Sequence, residues 1–163
     1  MRKLMIIALF LSLLTLPAVA QPLSVRDVPK AEVFSGYQYT HFEGGVEANG
    51  WNASVAGNIS RWFGVAADFS GAYKSGEHVH TYMFGPVFSA RSDKVTPFAH
   101  ALFGGASGGG TNAFAMAFGG GVDVKVADRV AFRVIQGDWL VFRSEGYTSK
   151  KNARVSTGLV FRF

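Results

Sequence analysis

Residues 113–126 read AFAMAFGGGVDVKV. Phe114, Met116, Phe118, Val122 and Val124 share one parity, while Ala115, Ala117, Gly119, Gly121, Asp123 and Lys125 share the other. A period of two puts the sets on opposite faces of a β-strand. Alternation alone fits any half-buried sheet, so the sizes decide. The apolar face carries rings and branched carbons; the other carries Gly, Ala and a pair of charges. A small soluble barrel should fill its interior with large apolar side chains or line a ligand cavity with them. Bulky apolar groups opposite small polar ones suit lipid outside and a narrow interior.

Working outward, the same grammar recurs. Val65, Ala67, Phe69 and Tyr73 oppose Ala66, Asp68, Ser70 and Lys74. Trp51, Val55 and Ile59 oppose Asn52, Ser54, Asn58 and Ser60, and Tyr82, Phe84, Pro86 and Phe88 share a face. Eight strand-like stretches emerge: 30–42, 51–59, 63–74, 79–90, 96–104, 113–126, 130–143 and 151–163. They form four hairpins starting near 30, 63, 96 and 130. That spacing also matches ankyrin repeats, which the FGGASGGG that follows Leu102 excludes because it cannot make their helices. EGGVEANG, SGEH, GASGGGTN and SEGYTSK link the strands on one side, and SRW, RSDKV and ADR on the other. Longer Gly-rich links opposite short turns predict a membrane barrel with the short turns toward the periplasm. Tyr37, Tyr39, Trp51, Tyr73, Tyr82 and Trp139 fall toward the longer links and Trp62 at a short turn, as two interfacial girdles would.

The N-terminus supports export. MRKLMIIALFLSLLTLPAVA has a positive start, an apolar run, a proline break and a small-x-small end, so residues 1–20 read as a signal peptide cut after Ala20, with Ala18 as the other small residue. The apolar run is short for a spanning anchor. Residues 21–29 form a short leader and 30–163 the barrel domain. The chain has 163 residues, with 15 Phe, 20 Gly and no Cys, so disulfides support no part of it. Without Arg2 and Lys3 the 16 basic residues become 14 against 11 acidic, a net charge of +3. The basic residues are scattered, and no nucleic-acid surface is expected. No mature segment has a helical period or a spanning apolar run, so membrane entry requires a closed sheet.

Two stretches break the pattern. In TPFAHALFG, Phe98 and Phe103 fall on opposite faces. Arg133 has the opposite parity to Gln136 and Asp138, although all three suit the interior. A one-residue bulge near Val134 or Ile135 would bring them together.

On these residues, from about 30 to 163, the chain resembles the outer-membrane-protein-A-like eight-stranded β-barrel family. The resemblance rests on the signal peptide, the dyad strands, Gly-rich segments such as AFGGGVDV and the terminal aromatic. It implies an all-β, eight-stranded antiparallel up-and-down transmembrane barrel with both termini in the periplasm. It also implies that Leu159, Phe161 and Phe163 are the signal read by the barrel-assembly machinery, the alternative being that Phe163 is one more lipid-facing side chain. The sequence stops at the barrel, so no peptidoglycan-binding domain is expected.

The interior charges expected from parity are Glu32, Asp68, Asp123 and Asp138 with Lys125, Arg133, Arg154 and Arg162. Buried charges must pair, so they predict an ion-pair network plugging the barrel, or a small gate. His78 and His80 at i and i+2 could hold a metal, but no third ligand is evident and surface histidines are the plainer account. Some small outer-membrane barrels modify lipid A with a His-x-Ser pair, which no histidine here offers. The Gly runs match neither a phosphate loop nor a dinucleotide fingerprint; they let strands pack closely or make a mobile loop at Gly108 to Gly110. Asn52 and Asn58 sit in glycosylation-like sequons but should point inward. The expectation is therefore a monomeric integral outer-membrane barrel without cofactor, metal or catalysis, serving envelope integrity or loop-mediated surface interaction. A small solute pore is the alternative and a secreted lipocalin-like carrier the third, the latter lacking its Gly-x-Trp signature. Partners are outer-membrane lipid and, during biogenesis, the assembly machinery and periplasmic chaperones.

Overall fold

The structure, a computed structural model, describes residues 28–144 and 146–163. The expected signal peptide, with Ala18 and Ala20, and most of the expected leader lie outside the described residues. Eight strands follow one another: β1 (Ala31–Phe42), β2 (Val46–Asn58), β3 (Phe63–Lys74), β4 (Glu77–Ser89), β5 (Val95–Gly108), β6 (Thr111–Ala127), β7 (Val130–Ser144) and β8 (Tyr147–Arg162). Each pairs antiparallel with its neighbours in sequence, and β1 pairs with β8, so the sheet is a closed barrel. Closure leaves no free edge, which removes the main aggregation hazard of a long sheet. At the seam, Glu32 stands opposite Arg162 and His41 opposite Ala153.

The links differ from the sequence reading. Where Gly-rich loops were expected, the strands run on to tight turns at 43–45, 75–76 and 109–110, while the opposite end carries the longer links 59–62 and 90–94. Apart from the two-residue link 128–129, the length contrast is thus reversed. The reason is local: Gly109 and Gly110 have φ of 57° and 79°, the left-handed pair that a two-residue hairpin requires. Gly108 is part of β5 and pairs with Thr111, so the expected mobile loop is a hairpin tip.

The bulge is present. Val122 pairs with Ile135 and Asp123 with Arg133, leaving Val134 as the extra residue of β7. Val134 and Ile135 both face outward, 49% and 51% exposed, while Arg133, Gln136 and Asp138 are all buried. One inserted residue resets the parity of the strand. β5 is regular after all, with Thr96, His100 and Leu102 buried and Phe103 on the outer wall.

Trp51, Phe69, Tyr82, Phe84, Phe114, Phe118, Trp139 and Phe161 are all exposed on the outside. The interior is mixed. Ala66, Met83, Leu102, Ala106, Ala115, Ala117 and Leu140 form an apolar cluster on the β3–β7 side. Gln38, Thr40, Asn52, Arg154 and Ser156 are buried on the β8–β1–β2 side.

Candidate functional site: the charged lumen

Two ion-pair groups fill the lumen. Near the chain termini, Glu32 accepts two hydrogen bonds from Arg91, at 3.1 and 2.7 Å, and one from Arg162 at 2.9 Å. Asn58 donates to the same carboxylate at 3.1 Å. Glu32 and Arg162 are opposed in the β1–β8 register, so their pairing also fastens the seam.

The second group crosses the middle of the barrel. Arg154 donates from Nε to Asp138 and from Nη1 to Asp68, at 2.7 and 2.8 Å. Asp68 also accepts from Asn52 at 2.8 Å, and His100 Nε2 lies 2.7 Å from Asp138 Oδ1. Gln136 links this set to the Arg133–Asp123 pair, donating to Asp138 and accepting from Arg133. The Arg133 guanidinium is sandwiched between the rings of Phe34 and Phe98, 4.3 and 4.2 Å from their centroids. That cation–π stack explains why two phenylalanines point into a polar lumen. Gly119 makes room for the central carboxylate, since a Cβ there would lie 2.2 Å from Asp138 Oδ1.

The expected interior charges are therefore brought together in two groups rather than one, with one correction. Lys125 has inward parity but sits at the mouth, where its Nζ lies 3.0 Å from Asp128 Oδ1 in the β6–β7 turn. Arg91, His100 and Gln136 complete the network beyond the residues singled out for it. Arg91 lies in the link 90–94, where no strand parity fixes a direction. Asn52 and Asn58 make their bonds inside the barrel, as their parity suggested. Leu159, Phe161 and Phe163 are exposed on the outer wall. Among the described residues, no three His, Asp or Glu side chains gather as a metal site.

Between the two groups lies a cavity of ≈ 40 Å³ lined by Phe34, Asp68, His100 and Arg133, among others, room for a few waters. Both mouths are wider, ≈ 530 Å³ at the tight-turn end and ≈ 680 Å³ at the other. The first mouth is braced across the seam. Glu43 accepts from the Lys150 amide at 3.1 Å, and its own amide donates to Asn152 at 2.8 Å. The Ser149 hydroxyl, then the amides of Lys150 and Lys151 and the Lys151 charge, hold the Glu43 carboxyl below its ordinary pKa against a smaller desolvation effect.

Comparison with known proteins agrees with this architecture. No protein-family model and no curated protein matches the sequence. Solved structures do match. Ail, the attachment invasion locus protein of Yersinia pestis, superposes with TM-score 0.58 at 14% identity, over 84% of this chain and 100% of Ail. Neisserial surface protein A gives 0.61 at 15% identity, over 82% and 96% of the two chains. The N-terminal barrel domain of Pseudomonas aeruginosa OprF gives 0.61 at 9% identity, over 83% and 98%. The chain has the outer-membrane-protein-A-like eight-stranded barrel fold. At these identities the likeness carries the architecture alone, and the role of this barrel must be argued from its own surfaces.

Proposed function

We propose that the protein is an integral outer-membrane barrel with a structural role in the cell envelope. The carrying observation is the pairing of an aromatic outer wall with an ion-paired lumen. Exposed Phe69, Phe84, Phe114 and Phe118 would form a patch far larger than a soluble monomer tolerates, and lipid removes that cost. The closed hydrogen-bond ladder meets the demand that no backbone group face hydrocarbon unpaired. A plugged centre supports a structural role over a pore, and tight turns leave little loop surface for the adhesion suggested by the name of Ail. The lumen is filled, its central cavity measuring only ≈ 40 Å³, which leaves a lipocalin-like carrier without its greasy cavity.

The test is reconstitution of the mature chain in a planar bilayer with parallel gel analysis. The reading expects heat-modifiable mobility and no steady conductance. A water-soluble chain would contradict membrane insertion, and reproducible single-channel steps would replace the structural role with the pore. Assembly of this barrel is proposed to depend on the outward set Leu159, Phe161 and Phe163. Removing Phe163 should then give periplasmic accumulation, whereas normal insertion would reduce it to one more apolar side chain.

A further inference from the structure

On the outer wall, three polar tips converge over a gap in the side-chain pattern. Trp51 on β2 and His80 on β4 flank Gly71 on β3 in the strand register. Trp51 Nε1 donates to Tyr73 Oη at 3.1 Å, and Tyr73 Oη lies 3.0 Å from His80 Nε2. Gly71 leaves the space: a Cβ there would lie 2.7 Å from Trp51 Nε1 and 2.8 Å from Tyr73 Oη. The His78 ring packs beside His80, with centroids 5.1 Å apart.

The direction of this chain follows from donor chemistry. An indole N–H only donates, so the Tyr73 oxygen is its acceptor and the Tyr73 O–H is left to donate to His80 Nε2. A neutral His80 then carries its proton on Nδ1, and the chain ends in a donor pointing away from the bonds that hold it. A cationic His80 instead donates to Tyr73 as well, which turns the Tyr73 O–H outward. Either state offers a donor on the outer wall, next to the imidazole of His78. Two other girdle tips end on the protein itself: Tyr37 donates to Asn49, and Trp139 to the Lys150 carbonyl.

Position supplies the rest. Tyr73 lies close to the tight turn at 75–76, while Phe69, Tyr82 and Phe84 continue the same outer face away from it. Donors stand above and rings below, the polarity of a lipid with an anionic head and acyl tails. Glu47, an acidic residue of the neighbouring outer wall, is engaged by Tyr39 and lies 4.0 Å from His41.

We propose that Trp51, Tyr73, His80 and His78 form a binding site for the phosphate of a lipid headgroup in the leaflet at the tight-turn end. This rests on the membrane reading above. The test uses the mature chain folded in a phosphate-free maltoside detergent, with the imidazole resonances of His78 and His80 as readout. Three additives are titrated: short-chain phosphatidic acid, the matching diacylglycerol and inorganic phosphate. Phosphatidic acid should shift both histidines saturably, and the other two should not. His78→Ala with His80→Gln, read by retained phosphatidic acid, should weaken binding about tenfold, and Tyr73→Phe about threefold. Gly71→Ala, which wedges the tips apart, should weaken it as well. An equal response to diacylglycerol would show that only tails bind, and an equal response to inorganic phosphate that the source is not lipid; either overturns the site. Unchanged retention in variants that keep heat-modifiable mobility overturns it too. A chain lacking that mobility altogether would sink the membrane reading along with it, whereas a heat-modifiable barrel that binds nothing sinks this site alone.

Discussion

The lumen and the outer wall are two surfaces of one sheet, and they handle polarity in opposite ways. Inside, Asp68, Asp138 and Arg154 are almost wholly buried, and each is held by more than one partner: Arg154 touches both Asp68 and Asp138. Outside, phenylalanines and aliphatic side chains stand exposed. A soluble protein hides its rings and wets its charges; here the arrangement is inverted. The difference teaches that pairing keeps the inner surface together, while the outer surface depends on its surroundings. Damage to each should therefore cost energy by a different route.

The largest effect is expected where a single residue decides which surface a side chain joins. Deleting Val134 removes the bulge, so Arg133 or the Gln136–Asp138 pair must turn to the outer wall. No heat-modifiable barrel should form in a refolding assay, and a barrel that still forms would contradict the role given to the bulge. Next is the lumen. Asp138→Ala leaves Arg154 and His100 short of a partner and should cost about 3–5 kcal/mol, the scale for breaking a buried pair, read as a fall in the urea midpoint in lipid. On the outer wall, Phe118 sits near the middle of β6 and packs on Phe103 and Trp139. Phe118→Lys should cost about 2–4 kcal/mol at the depth of the bilayer midplane. The same substitution in lipid-free detergent micelles should cost less, which separates the surroundings from the packing.

The smallest effect is at the rim. The lowered pKa of Glu43 means that the unfolded chain binds a proton more readily than the folded one. Its contribution is present above the ordinary carboxylate pKa and is lost as pH falls through the lowered folded value. Glu43→Gln should flatten the acid limb of a stability–pH profile by slightly lowering stability at neutral pH, while stability at acid pH stays nearly unchanged. An unaltered acid limb would show that the brace to β8 has no electrostatic component.

Most of this contrast was legible in the sequence because a period of two reports which face a side chain joins. It placed Asp68, Asp123, Asp138 and Arg154 inside and Phe114, Phe118 and Trp51 outside, and a conflict of parity between Arg133 and Asp138 located the bulge. Parity gives a face but not a depth, which is why Lys125 was drawn into the network although it stands at the mouth. Nor does parity reach into turns, so Arg91 was missed. Phe98 made β5 look irregular because an inward ring makes sense only with Arg133 against it, a contact between strands distant in sequence. The Gly-rich links were read as loops by composition, whereas their positive-φ glycines shorten the turns and lengthen the strands.

The inverted arrangement is most directly tested by placing single cysteines along β6, which the absence of native cysteine makes clean. Spin labels at 114, 116, 118, 122 and 124 of the bilayer-reconstituted barrel should be relaxed strongly by dissolved oxygen and weakly by a water-soluble nickel chelate. Labels at 115 and 117 should respond weakly to both. Chelate access at Phe114, Phe118 and Val122, or oxygen access confined to the odd positions, would contradict the account.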